Sequence, residues 1–180
     1  MMTNSEFVKG QKHFLLGEYG RSISDFAEAL ALGMEPKQVH LPLGLAHLKN
    51  GDFTEAVKDF SNALDVDEKS GRAFFLRGIA YFNNGEVERA AEDFSRSIRL
   101  NKERGEAYVA RSLAMKGLNR MAEAESDMKT ALFLAGVEVE SFIREYCISP
   151  AMYKLAMSLF DLTKEPWSTE LREKWLAREH

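Results

Sequence analysis

A repeat of 34 residues constrains this chain more than any other feature it has. Windows beginning at Thr3, Lys37, Gly71 and Gly105 align without a gap. Their eighth positions hold Gly10, Gly44, Gly78 and Ser112, and their twentieth hold Ser22, Ala56, Ala90 and Ala124. The twenty-seventh position is small as well (Ala29, Ala63, Ser97, Ala131), whereas the twenty-fourth is large (Phe26, Phe60, Phe94, Met128). Within a window this spacing places small and large residues on matched faces of two short helices. The small residues let the backbones approach and the large one fills the space between them. A fixed period of this length marks a stack of helix–turn–helix units, each burying its apolar face on its neighbours.

The turns carry an independent signal. Gly17, Gly51 and Gly85 fall just after the first helix of their windows, where a left-handed residue ends a helix, and Asn119 takes that place in the fourth. Glu18, Asp52 and Glu86 come next, at the positive end of the second helix, where a carboxylate is favoured. Arg120 breaks this last pattern, so the fourth turn is expected to be the loosest. Pro42 falls inside a first helix and should either delay its start to about Val39 or bend it.

These positions resemble the tetratricopeptide repeat, across about three quarters of the chain. The resemblance implies an all-α, right-handed superhelical solenoid of four repeats (3–36, 37–70, 71–104 and 105–138), closed by C-terminal capping helices over 139–180. Past Glu138 the period fails, because Pro150 would lie inside a fifth first helix. A short helix over Val139 to Cys147 is expected, then a second one started by Ser149 as N-cap and Pro150 at its first position. A last helix over 166–178 would place Trp167, Leu171 and Trp175 on one face.

Composition narrows the function. A net charge of −4, with acids and bases interspersed, offers no basic track for nucleic acid. No apolar run approaches the length of a membrane span, the amino terminus lacks the features of a leader, and one cysteine, Cys147, makes no internal disulfide. A cytoplasmic protein is the expectation. No phosphate loop, zinc-ligand spacing or nucleophile beside a base is present, so neither an enzyme nor a cofactor is expected. His13 and His47 occupy the eleventh repeat position, shared with Tyr81, and His40 the fourth, shared with Phe74 and Tyr108. They read as packing residues rather than metal ligands.

Tetratricopeptide proteins commonly bind peptides on the concave face, through positions 2, 5, 6, 9, 12 and 13 of each first helix. Transferred to this chain, the resemblance implies a groove centred on Phe7, Val8, Gln11 and Phe14 from the first window and Leu41, Leu45 and Leu48 from the second. The third contributes Arg72, Phe75, Leu76, Ile79 and Phe82, and the fourth Val109 and Leu113. Position 13 adds Leu15, Lys49, Asn83 and Gly117. Seven of the eight residues at positions 6 and 9 are apolar (Val8, Pro42, Leu45, Leu76, Ile79, Ala110, Leu113), where the family often carries Asn. Either these positions pack between neighbouring helices, or they line an apolar groove; such a groove implies an occupant (a partner helix, another copy or the chain's own tail), because a large apolar patch is seldom left uncovered. The expected partner is another protein, through an apolar-faced, helical segment, with the chain acting as scaffold, adaptor or chaperone-like holder. The alternative is self-assembly, with the C-terminal helix docked on its own or a neighbouring copy. The two-carboxylate clamp that grips heat-shock chaperone tails is not reproduced: its places read Phe7, Gln11, Pro42, Arg72 and Leu76.

Overall fold

A computed structural model describes residues 2–134, 139–152 and 154. Among the described residues there is helix and no strand: α1 (Met2–Leu15), α2 (Tyr19–Ala31), α3 (Pro36–Asn50), α4 (Phe53–Val66), α5 (Gly71–Asn83), α6 (Val87–Leu100), α7 (Gly105–Gly117), α8 (Met121–Phe133) and α9 (Val139–Tyr146). The first eight pair into antiparallel hairpins, and each second helix also packs on the first helix of the next hairpin. The first helices α1, α3, α5 and α7 touch one another in series, while successive second helices approach less. The stack therefore curves with its first helices inside.

The small and large pattern is a packing device. A Cβ atom on Gly10, Gly44 or Gly78 would lie 2.7, 2.7 or 2.6 Å from the ring of Phe26, Phe60 or Phe94. Glycine is thus required by close approach, and the three rings are almost completely buried. In the fourth hairpin Ser112 and Met128 replace the pair. A flexible thioether tolerates the extra side chain, and the Ser112 hydroxyl donates to the Ala124 carbonyl at 2.7 Å.

The four turns are alike. Gly17, Gly51, Gly85 and Asn119 have φ of 75°, 88°, 83° and 59°. Each N–H bonds to the carbonyl three residues back, and the next N–H reaches five residues back, which satisfies two orphan carbonyls at the helix end. The Arg120 N–H to Met115 carbonyl bond, at 2.8 Å, is as short as its counterparts, so the fourth turn is closed as tightly as the others. Arg120 keeps the local ion pair with its sign reversed: it binds Glu123, whereas Glu18 binds Arg21 and Glu86 binds Arg89. Hydrogen bonds from Asn84 and Arg89 hold the Glu86 carboxyl below its ordinary range.

Pro42 does not delay α3, which starts at Pro36 and runs through to Asn50. The cost of the missing donor is absorbed inside a helix packed on its neighbours.

Each hairpin also carries a polar tie beside its apolar pattern. The twenty-third position is aspartate throughout (Asp25, Asp59, Asp93, Asp127). Asp93 and Asp127 accept paired bonds from Arg77 and Arg111, whose third contact, at 3.1 Å in each case, reaches Ser61 or Ser95 on the preceding hairpin. Asp25 and Asp59 instead bond His13 and His47. These histidines are thus hydrogen-bonding partners of a repeat aspartate, a role beyond packing.

Candidate functional site

Part of the inner face of the stack is covered by the chain itself. After α8 the chain returns to the first helices: α9 packs on α7, and residues 145–149 cross the last turn of α5. Two aromatic side chains of α9, Phe142 and Tyr146, lie one helical turn apart and therefore project from one face. Both meet Phe75, with ring centroids at 6.5 and 5.4 Å and near edge-to-face angles of 62° and 86°. Rings in this arrangement gain about 0.5–1.5 kcal/mol beyond the area they bury. The Arg104 guanidinium stands 5.7 Å from the same Phe75 ring.

Past α9 the backbone is held by one side chain. Asn83 donates from Nδ2 to the Ile79 carbonyl in its own helix (2.9 Å) and to the Tyr146 carbonyl (2.6 Å). Its Oδ1 accepts from the N–H groups of Ile148 (2.7 Å) and Ser149 (2.8 Å). A carboxamide has two donors and two acceptor sites, and all four are used. Lys49 adds a bond from Nζ to the Glu145 carbonyl at 2.7 Å and lies 5.7 Å from the Tyr146 ring. The hydrogen bonds from Asn83 and Lys49 to the segment are thus all made to main chain.

Burial changes the chemistry of the seated segment. It pushes the Cys147 thiol up to about 12 and, with the Glu145 and Glu106 charges, the Tyr146 hydroxyl to about 12. Desolvation pulls the Lys49 ammonium below its ordinary value. Cys147 is thus a protonated, inert thiol at neutral pH. Helical structure resumes at Pro150, where the Ser149 hydroxyl caps the Met152 N–H at 3.3 Å, the start expected from the sequence. The helix expected over 166–178 lies outside the described residues.

Residues 41–104 match a tetratricopeptide repeat family model. The chain has the fold of a tetratricopeptide-repeat solenoid. Among solved structures it is similar to a MamA protein at 19% identity over 88% of this chain and 87% of that one, with a TM-score of 0.70. A MamA fragment from Desulfovibrio magneticus RS-1 is 18% identical over 73% of this chain and 75% of that one, TM-score 0.71. YrrB, described as a TPR protein with an unusual peptide-binding site, is 18% identical over 74% and 69%, TM-score 0.69. No curated protein matches the sequence.

Along the tetratricopeptide groove, the residues expected from the sequence divide into two groups. Phe75, Leu76, Ile79, Phe82, Val109 and Leu113 are buried, as is Leu48. Phe75 meets the returning segment directly, and the others belong to the same continuous core as Phe142, Cys147 and Met152. Toward the amino terminus the face is open. Val8 is 53% and Leu15 85% exposed, and Gln11 is exposed beside them. Phe7, Phe14, Leu41, Pro42 and Leu45 are half-buried, and Arg72 is exposed. Phe7 and Phe14 pack on Phe26 and Tyr19 within the first hairpin.

The residues that grip main chain, Asn83 and Lys49, sit at position 13, among the groove positions the resemblance implies, but their role as holders of backbone is not given by that register. The available signal was an amide closing α5, a helix whose other late residues are apolar. Outside the groove, a cleft of about 720 Å³ between α6 and α8 is lined by Arg111, Asp127, Arg120 and Glu123, which are paired with one another. Among the described residues no group of three or more His, Cys, Asp or Glu is placed to hold a metal ion, and no helix is long and apolar enough to cross a membrane.

Proposed function

We propose that this chain is a protein-interaction module of the cytoplasm, an adaptor or chaperone-like holder, whose concave groove takes an apolar-faced helical segment of another protein. The observation that carries this reading is the returning segment itself. A stretch of polypeptide lies on the inner face, anchored by aromatic side chains on Phe75 and by main-chain bonds to Asn83 and Lys49. A surface that accommodates one peptide through contacts to backbone has the chemistry to accommodate another. On this reading four repeats over 3–138 build the groove, and 139–180 is an extension, part of which lies within it.

Val8, Gln11 and Leu15 with Leu41 and Leu45 form the open end at which a partner would first engage. Panning a displayed library of helical peptides against the full chain tests the reading. Ligands of micromolar affinity with an apolar face are expected, weakened at least tenfold by Val8→Glu with Leu15→Glu. Both side chains are exposed, so the double variant should keep its fold. Selected peptides that bind this variant as well as the parent would refute the groove as the site.

A further inference from the structure

We propose that residues 142–149 are a tethered stand-in for the ligand. On this inference the partner presents two aromatic side chains one helical turn apart followed by a bend that turns two successive N–H groups to one side, and it must displace this segment to occupy the groove fully. The inference rests on the interaction reading above and names the partner's chemistry and its regulation.

The geometry separates the side chains the site reads from the backbone it merely accepts. Two side chains are read, Phe142 and Tyr146, by the ring of Phe75 in near edge-to-face contacts. The backbone from Glu145 to Ser149 is accepted through main-chain atoms: the Tyr146 carbonyl and the Ile148 and Ser149 N–H groups on Asn83, with the Glu145 carbonyl on Lys49. Main-chain contacts carry no side-chain identity, so any segment with the aromatic pair and the same bend after it satisfies the same donors and acceptors. Removing the segment without replacement would leave the Asn83 carboxamide with only its bond to the Ile79 carbonyl, and Phe75 without the rings of Phe142 and Tyr146. The groove is therefore built for an occupied state.

The segment is also built to leave. α9 has eight residues, too few to hold a helix unaided. Its principal helix partner is α7. A covalently tethered competitor acts at an effective concentration of about 1 mM. An incoming peptide of equal intrinsic affinity would thus bind the intact chain only in the millimolar range, and a better aromatic anchor would be needed to win.

The chain supplies its own reporter. Cys147, its only cysteine, is 5% exposed while the segment is seated. The experiment titrates a labelled peptide of residues 139–152 carrying Cys147→Ser, so that it has no thiol of its own, against the full-length parent, against Phe142→Ala/Tyr146→Ala, and against that double variant carrying Asn83→Leu. The rate of Cys147 reaction with an aromatic disulfide is measured in each, with helicity checked by circular dichroism. Expected are binding to the double variant at least tenfold tighter than to the parent, loss of that gain with Asn83→Leu, and at least tenfold faster thiol reaction in the double variant. Excess peptide should also speed the thiol reaction of the parent, which needs no substitution.

Equal peptide affinity for parent and double variant would overturn the gate while leaving the groove as a peptide site. A freely reactive Cys147 with no binding to the double variant would overturn both readings. A parent that sediments as a dimer and becomes a monomer in the double variant would show the segment seated on a second copy, and would overturn the tethered form.

Discussion

The first two hairpins and the last two share one packing pattern but differ in what ties their helices together. In the third and fourth, Arg77 and Arg111 grip the repeat aspartate with two bonds each and reach a serine of the preceding hairpin with a third. In the first and second, a histidine from the eleventh position bonds the aspartate and the tie stays within one hairpin. The difference traces to position 7, which is Lys9 and Leu43 in one half and Arg77 and Arg111 in the other. Only a guanidinium has a planar fork with enough donors to bind a carboxylate bidentately and still reach across. Most of the contacts to the returning segment come from hairpins that an arginine cross-links to the preceding one, whereas the open end of the groove lies in the first two, whose histidine ties stay within a hairpin. A solenoid in which each unit contacts only its neighbours can be stiff at one end and compliant at the other.

The largest expected effect breaks the comparison directly. The Asp93 side chain is 4% exposed and Arg77 16%, so Asp93→Ala strands a charge away from water. A loss of about 3 kcal/mol is expected on urea unfolding. Asp25→Ala removes one hydrogen bond from His13 and should cost about 1 kcal/mol. Equal losses would mean that the arginine ties add nothing over the histidine ones.

A second prediction compares the same glycine in two settings. Gly78→Ala drives a methyl to 2.6 Å from the Phe94 ring, in a helix packed against neighbours on both sides. About 2–3 kcal/mol should be lost. Gly10→Ala makes the corresponding clash with Phe26 at 2.7 Å, but α1 is the end helix and can move outward, so about 1 kcal/mol is expected. Thermal melts of the two variants against the parent measure the difference. A Gly10→Ala loss as large as that of Gly78→Ala would show the amino-terminal end to be as rigid as the middle.

Alkaline pH should loosen the seated segment before the repeats. Burial raises Cys147 from 9.0 and Tyr146 from 10.0, each to about 12, so both are neutral when seated and ionise more readily when released. For an acid raised in this way, the stabilisation is complete below the released value and is lost as pH climbs toward the seated one. The segment should therefore hold fully below about pH 9 and weaken between pH 9 and about 12. Hydrogen exchange of residues 142–149, corrected for its intrinsic pH dependence, is the measurement. Release that is complete by pH 8 would contradict the assignment.

Most of the repeat stack was legible in the sequence because it depends on residue size at fixed spacing. A glycine opposite a phenylalanine in three windows, with serine opposite methionine in the fourth, has one economical packing explanation. The positive φ of Asn119 is legible in the same way, from alignment with three glycines. The helix through Pro42 was not legible, because its tolerance depends on tertiary contacts that outweigh a local cost. Nor were the polar ties. Aspartate recurs visibly at position 23, but its partner alternates between positions 11 and 7 as the side chains there change reach, so no single spacing reports it. In the groove, apolar residues were identifiable from the repeat register. The chain's own tail was among the implied occupants, but that residues 142–149 are the seated part was not legible, since it depends on where they arrive in space. Asn83 and Lys49 act on backbone, which no side-chain pattern in the returning segment announces.

The smallest expected effect concerns the turns, where the fourth hairpin was expected to differ and its hydrogen bonds do not. Asn119 holds a left-handed conformation, φ 59°, at the place where the other hairpins use glycine. Replacing it by glycine removes a steric cost, which for asparagine is already reduced because its short polar side chain bonds locally. The same change frees the unfolded chain and costs about 0.4–1 kcal/mol in entropy. The two terms oppose and are of similar size, so Asn119→Gly should alter stability by no more than about 0.5 kcal/mol. Asn119→Ala puts a side chain with less tolerance of the left-handed region there and should lose about 1–2 kcal/mol, matching Gly85→Ala in the third hairpin. Urea unfolding of the three variants checks the order. A gain above about 1 kcal/mol from Asn119→Gly would reveal strain that the turn's two short hydrogen bonds conceal, and would move the weak point of the stack from its amino-terminal half to its fourth turn.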